Sequence, residues 1–302
     1  MRIAVTGSSG LIGTRLVEAL RGDGHDVLRL VRRTPRTADE HRWDPQHQRI
    51  DPVLLTDVDA VVNLAGTPIR PRPWTPAYKQ RLTDSRLDST TTVSEALAAA
   101  AAADPGRPRA LLSASAVGYY GDTEERLVDE SAPAGGDFLA ALCARWEAAT
   151  RPAEEAGVRV VRLRTGLVLG RGAMLTDILG LVFRAGLGGR LGTGRQYWPW
   201  ISLTDEVDAI RFLLTTDIAG PVNLTGPAPV TNAEFARALG RVVHRPTLLN
   251  VPRFAISLGL GEFGRSSVLA GQRAVPAALK AAGFPFTHRD VESALRTALA
   301  RD

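Results

Sequence analysis

A single cysteine, Cys143, stands in a chain of 302 residues. One thiol excludes an intramolecular disulfide framework and removes the ligands of a cysteine-based metal site, so no metal is expected. Long hydrophobic runs are missing too. Nothing approaches the roughly 18 apolar residues of a membrane span, and no membrane partner is expected. The start, RIAVTG, has neither the basic lead nor the small-residue cleavage site of an export signal, which gives the expectation of a cytoplasmic protein. Net charge is +5, from 37 Lys and Arg against 32 Asp and Glu, and the basic residues, nearly all Arg, are scattered along the chain. Nucleic-acid binders gather such charge on one face with aromatics between, so no nucleic-acid partner is expected. What is present, 44% apolar and 23% charged residues, describes an ordinary globular protein with volume for one large or two modest domains.

Through the first half, short apolar runs alternate with helical patterns, the signature of βαβ units around a parallel sheet. Strands are expected at 2–6, 26–31, 59–64, 109–114 and 158–163. A helix near 11–21 carries Ile12, Leu16 and Leu20 on one stripe and closes at Gly22 or Gly24. A second is expected over 86–103, stopped by Asp104-Pro105-Gly106, and a third over 138–156 with Phe138, Leu142 and Trp146 at helical spacing. Beyond about residue 166 Gly and Pro become frequent, and two short strands or turns near 200–203 and 221–225 separate short helices. No internal repeat or low-complexity tail interrupts the chain.

The sharpest local pattern is VTGSSGLIG, residues 5–13, between the first strand and the first helix. Gly7, Gly10 and Gly13 permit a tight turn, close approach of backbone to a pyrophosphate and close helix–strand packing, while the helix N-terminus favours negative charge. Ser9, Leu11 and Ile12 belong to the same turn. About 20 residues past the glycines, where an acidic residue selects NAD, the sequence reads Val31-Arg32-Arg33, and two guanidiniums suit the extra phosphate of NADP. Leu64, Ala65 and Gly66, in NLAG at 63–66, are small enough for the cofactor's ribose to lie against backbone. Arg81 and Arg86, on the helix after the Pro-rich loop RPRPWTP, can reach a cofactor phosphate or an anionic substrate, or stand as solvated helix charges. The expected fold is α/β, a Rossmann doubly wound parallel sheet. It comprises an NADP-binding domain over 1–166 and a smaller substrate-side and C-terminal region over 167–302, some strands of which return to the main sheet.

TGSSGLIG, NLAG, SASAVGYYG, WEAA, RTGLVLGRGAM, GLGGRLGTGRQYWPWIS, NLTGPAPVTNAEFA and GQRAVP together resemble the epimerase-like branch of the extended short-chain dehydrogenase/reductase superfamily. Within it they are similar to NAD(P)-dependent epimerase-family proteins that carry their own C-terminal module. The resemblance covers essentially the whole chain and implies a Rossmann domain, NADP binding, which Val168 also serves, and no firmly established substrate.

It also implies a catalytic set: a Ser after the fifth strand and a Tyr-x-x-x-Lys on the next helix, with Glu four residues beyond the Lys. Anchored on Glu147, the Tyr position holds Leu139 and the Lys position holds Cys143. Leucine moves no proton, and a thiol supplies no positive charge. Cys143 sits among Leu139, Leu142 and Trp146 and reads as a small buried hydrophobe. Ser115 matches the superfamily's serine by position, and Tyr119 or Tyr120, on the loop just beyond, offers a phenol from a different place. Alternatively the serines satisfy backbone at a strand end and the tyrosines pack. Arg195, Gln196, Trp198 and Trp200 suit the wall of a polar substrate pocket. Where the family has Trp-Ile-His, Trp200-Ile201-Ser202 stands. Asp205 is expected to cap the helix starting there, and His244 and His288 are expected on the surface. Two functions fit: an NADP-dependent oxidoreductase or epimerase-like enzyme for a small polar or nucleotide-bearing carbonyl or alcohol, and an NADP-binding redox sensor or scaffold without turnover.

Overall fold

The computed structural model describes residues 1–300. Seven parallel strands form the central sheet: β1 (Arg2–Thr6), β2 (Asp26–Val31), β3 (Glu40–Arg42), β4 (Ala60–Asn63), β5 (Ala110–Ala116), β6 (Arg159–Thr165) and β7 (Gly220–Leu224). Their spatial order is β7-β6-β5-β4-β1-β2-β3. The order reverses between β1 and β4, and ligands of open α/β sheets bind at such a crevice.

Side chains alternate across this sheet with period two. Ile3 and Val5 of β1, Ala60 and Val62 of β4 and Leu112 of β5 share one core with Leu16 and Leu20 of α1 (Leu11–Gly22). Ala4, Val61 and Leu111 point the other way, onto Val93 and Leu97 of α2 (Pro76–Ala103). Both faces are therefore covered, which is why these strands read as nearly continuous apolar runs.

Two helices depart from the sequence expectation. α2 begins at Pro76, because the Thr75 hydroxyl accepts from the Tyr78 amide at 3.2 Å and Pro76 occupies the first turn. Arg86 consequently lies inside the helix and not at its start. The expected helix over 138–156 is two, α3 (Phe138–Ala148) and α4 (Arg151–Glu155). Pro152 lacks the amide a continuous helix requires and ends the first segment.

The remaining helices are α5 (Met174–Arg184), α6 (Leu203–Leu214), α7 (Asn232–Val243), α8 (Arg253–Phe263), α9 (Ala277–Ala281) and α10 (Val291–Leu299). α6 packs on the same sheet face as α1, and α7 and α10 enclose a separate apolar cluster around Trp198, Trp200 and Phe235. Residues 273–274 pair with 127–128, so the C-terminal segment lies against the loop that follows β5. Among the described residues no helix is long and apolar enough to cross a membrane.

Two expectations about polar residues are corrected. Ser202, not Asp205, caps α6, accepting from the Asp205 amide at 2.9 Å. The Asp205 carboxylate instead receives the backbone amides of Thr287 and His288 at 2.7 and 3.1 Å. His288 is buried, its ring nitrogens 2.9 Å from Ser202 Oγ and 3.0 Å from Thr297 Oγ1. His244 is exposed.

Candidate functional site

The turn after β1 is built by steric necessity. Gly7 has φ +64°, and a Cβ there would lie 2.7 Å from the Leu64 carbonyl oxygen. A Cβ on Gly13 would stand 2.2 Å from the Gly7 oxygen, so that glycine lets α1 close onto the turn. Gly10 precedes α1 with no side-chain cap, and the first turn of α1 contains no acidic residue. Its first amides therefore stay available to an anion. Ser9 and Gly10 are exposed, Leu11 and Ile12 half-buried. Across the crevice the Thr6 hydroxyl accepts from the amides of Leu64 and Ala65 at 3.0 and 3.1 Å and donates to Asn63 at 2.7 Å. This hydroxyl locks the NLAG strand end beside the glycine turn, a cradle shaped for a dinucleotide.

The two arginines at the end of β2 differ. Arg33 forms a two-pronged pair with Glu40, both contacts at 2.7 Å, and this guanidinium holds Glu40 well below the usual carboxylate range. Arg32 is exposed and has no partner among the described residues. Arg81 is likewise exposed and unpaired on α2, whereas Arg86 is buried. Val168 is half-buried in a short strand, 167–169, that pairs with 200–202.

At the other end of the crevice Ser115 donates to Glu147 at 2.7 Å, and Glu147 is held by Arg164 of β6 at 2.8 and 2.9 Å. Burial works against the Arg164 charge, but Glu147 outweighs it and raises the Arg164 pKa. Arg164 also donates to the Tyr120 hydroxyl at 3.0 Å, and that hydroxyl donates to Asn223 at 2.6 Å. Burial pushes the Tyr120 phenol up to about 12, against the opposing hydrogen bond from Arg164. Tyr119 is half-buried, with the Arg164 guanidinium 3.6 Å above its ring. Its hydroxyl has no partner among the described residues. Glu147 and Arg164 are the residues that reasoning from sequence left without a role. The only local sign was a charge among the inward positions of RVVRLRT.

Leu139 and Cys143 face the same loop: a Cβ on Gly118 would meet Leu139 at 3.5 Å and the Cys143 sulfur at 4.0 Å. Burial first, and the Glu147 charge second, push the Cys143 thiol up to about 12. The structure gathers Ser115, Tyr119 and Tyr120 into one cluster. It places the expected pocket-wall residues elsewhere. Trp198 and Trp200 lie in the core with Phe235, and the Trp200 indole donates to the Ala228 carbonyl at 3.0 Å. Gln196 donates to the carbonyls of Leu191 and Val268, and Arg195 is exposed and paired with Glu125.

This arrangement has close counterparts. Residues 3–224 match the family described as NAD dependent epimerase/dehydratase, and residues 251–298 match a domain of unknown function. An epimerase family protein of Mycobacterium bovis, Mb2239, is 52% identical over 99% of this chain and 98% of its own length. The crystal structure of human epimerase family protein SDR39U1 with NADPH superposes with a TM-score of 0.85 at 30% identity, covering 99% of each chain. A nucleoside-diphosphate sugar epimerase from Corynebacterium glutamicum superposes at 0.80 with 33% identity, over 99% of this chain and 58% of that one. The resemblance in the motifs, the seven-stranded parallel sheet and these matches agree: the chain belongs to the NAD dependent epimerase/dehydratase family.

Proposed function

We propose that this protein binds NADP(H) across the glycine turn and serves an oxidoreductase or epimerase-like reaction on a small polar or nucleotide-bearing carbonyl or alcohol. The observation that carries the cofactor choice is Arg32, an exposed guanidinium without a partner at the end of β2, beside Arg33, which cancels the one buried carboxylate nearby. The NADPH in the human relative's structure supports the same choice. The bound nicotinamide supplies hydride transfer; the chain supplies position and proton handling. Free amides of α1 hold the pyrophosphate, and the Leu64–Gly66 backbone leaves room for the ribose. Tyr119, whose hydroxyl is uncommitted, takes the proton-transfer role in preference to Tyr120, whose phenol is raised and bonded on both sides. Ser115, fixed by Glu147, orients the reacting oxygen.

Binding of NADPH and NADH to wild type and Arg32→Ala tests this reading. Removing one charge-assisted phosphate contact costs about 1.5–3 kcal/mol, so NADPH affinity should fall about ten- to a hundredfold with NADH little changed. Equal wild-type affinities for the two cofactors refute it. A second reading, binding without turnover, draws on Leu139 and Cys143 at the dyad positions. NADPH-linked assays on small carbonyls and sugar nucleotides decide it, since turnover that Tyr119→Phe abolishes excludes a pure sensor or scaffold.

A further inference from the structure

Arg86, Arg109 and Arg164 are the buried arginines among the described residues. Arg164 has Glu147 at 2.8 Å and Arg109 has Asp104 at 3.8 Å. Arg86 has no carboxylate. Its Nη1 donates to the carbonyls of Thr67 and Leu82 at 3.1 and 3.0 Å, and its other nitrogens have no partner. Burial works against its charge, and the side chains of Cys143 and Tyr78 lie near enough to act on it. A guanidinium does not shed its proton to escape burial, so this charge awaits a counter-ion.

Its location says which kind. The Arg86 stem runs past Gly66, where a Cβ would meet its Cγ at 3.5 Å, so it borders the NLAG turn. The guanidinium carbon sits 4.9 Å from the Trp146 ring centroid, on the α3 face that also carries Leu139 and Cys143. α2 thus delivers a cation to the neighbourhood in which α3 has none at position 143. We propose that Arg86 binds the anionic oxygen group, carboxylate or phosphate, of the ligand that completes this site. It is therefore a specificity residue for acidic ligands, and this inference rests on the crevice assigned above but not on turnover or on the choice of dinucleotide.

The test uses oxalate and inorganic phosphate as probes, with chloride at matched ionic strength as control, on the full chain with and without saturating NADP. Tryptophan emission and thermal shift are read for wild type, Arg86→Gln, Arg86→Lys and Arg145→Gln, an exposed control on α3. Trp146→Phe identifies the reporter. Wild type and Arg145→Gln should bind one anion saturably, Arg86→Gln at least about tenfold more weakly, and Arg86→Lys in between because it keeps charge but loses the planar fork. NADPH affinity distinguishes the sources. Unchanged affinity in Arg86→Gln assigns the anion to the substrate, and a tenfold loss, with no anion binding once NADP is loaded, assigns it to a cofactor phosphate. Anion binding by Arg86→Gln equal to wild type overturns the proposal, as does the absence of any saturable anion effect together with unaltered NADPH affinity. If wild type binds neither dinucleotide, the function proposed above fails while the unliganded arm still reads Arg86.

Discussion

The two ends of the crevice treat their polar groups in opposite ways. At the glycine turn the donors are left open: α1 has no side-chain cap, its first turn has no acid, and Arg32 has no partner. Between β5 and α3 the polar groups are closed on one another, Ser115 on Glu147, Glu147 on Arg164, and Tyr120 on Arg164 and Asn223. Water solvates open donors at little cost until a phosphate replaces it, whereas a buried polar group must find its partner within the protein. The open end is shaped for a ligand that arrives, and the closed end for rigidity. Two groups are exceptions: the Tyr119 hydroxyl, which has no partner among the described residues, and Arg86, a buried charge that meets carbonyls but no carboxylate.

The largest effect follows from breaking the closed end. Glu147→Ala leaves Arg164 buried without its carboxylate, and loss of one partner from a buried pair costs about 3–5 kcal/mol. Urea unfolding followed by circular dichroism should show that loss, while the variant, below its melting temperature, keeps wild-type NADPH affinity within about twofold. A loss under about 1 kcal/mol would show that the pair does not hold this end together. Lost cofactor binding in folded protein would show that the two ends are one cooperative unit.

A smaller effect belongs to Glu206, on α6 behind β6. The Thr165 hydroxyl donates to one of its oxygens at 2.9 Å, while the other is buried without a partner. Burial, against the Thr165 hydrogen bond, pushes its carboxyl up to about 8 from an ordinary 4.5. The folded protein holds this proton more tightly than the unfolded chain does. The resulting stability is complete below the ordinary value of 4.5 and is lost as pH rises to about 8. The slope is at most about 1.4 kcal/mol per pH unit. Unfolding free energies between about pH 5 and pH 8 should therefore fall in wild type and fall less steeply in Glu206→Gln, which keeps the volume without the titration. Identical slopes would remove Glu206 as the cause.

How much of this is legible in sequence follows the range of each interaction. Strands β1, β2, β4, β5 and β6 are legible because burial makes them apolar runs, whereas β3, Glu40–Arg42, carries no such run and has no signal in the sequence; the glycine turn is legible because its spacing is local. The start of α2 was masked by RPRPWTP, although Thr75-Pro76 is the cap-plus-proline pair that opens helices. Beyond the charge among the inward positions of RVVRLRT, no local pattern announces the Glu147–Arg164 pair, which joins α3 to β6. His288 reads as surface because nothing near it in sequence shows that Ser202 and Thr297 will close over it. Arg86 is legible as a candidate but not as an unpaired charge, since a missing counter-ion is a property of the whole neighbourhood.

The smallest effect sharpens the comparison at Cys143. A sulfur on an apolar helix face, 3% exposed and with its thiol pushed up to about 12, has neither the access nor the thiolate fraction that attack requires. The Gly118 loop lies against it, since a Cβ on Gly118 would stand 4.0 Å from the Cys143 sulfur. Labelling by a neutral thiol reagent at about pH 7.5 should then run at least about a hundredfold slower in folded protein than in urea, limited by local opening. Cys143→Ala should cost about 1 kcal/mol and leave NADPH binding and any NADPH-linked turnover unchanged. Labelling as fast as in the unfolded chain would place the thiol on the open side of the crevice. Activity lost in a folded Cys143→Ala would make α3 a participant in the chemistry, and the division between an open and a closed end would have to be redrawn around it.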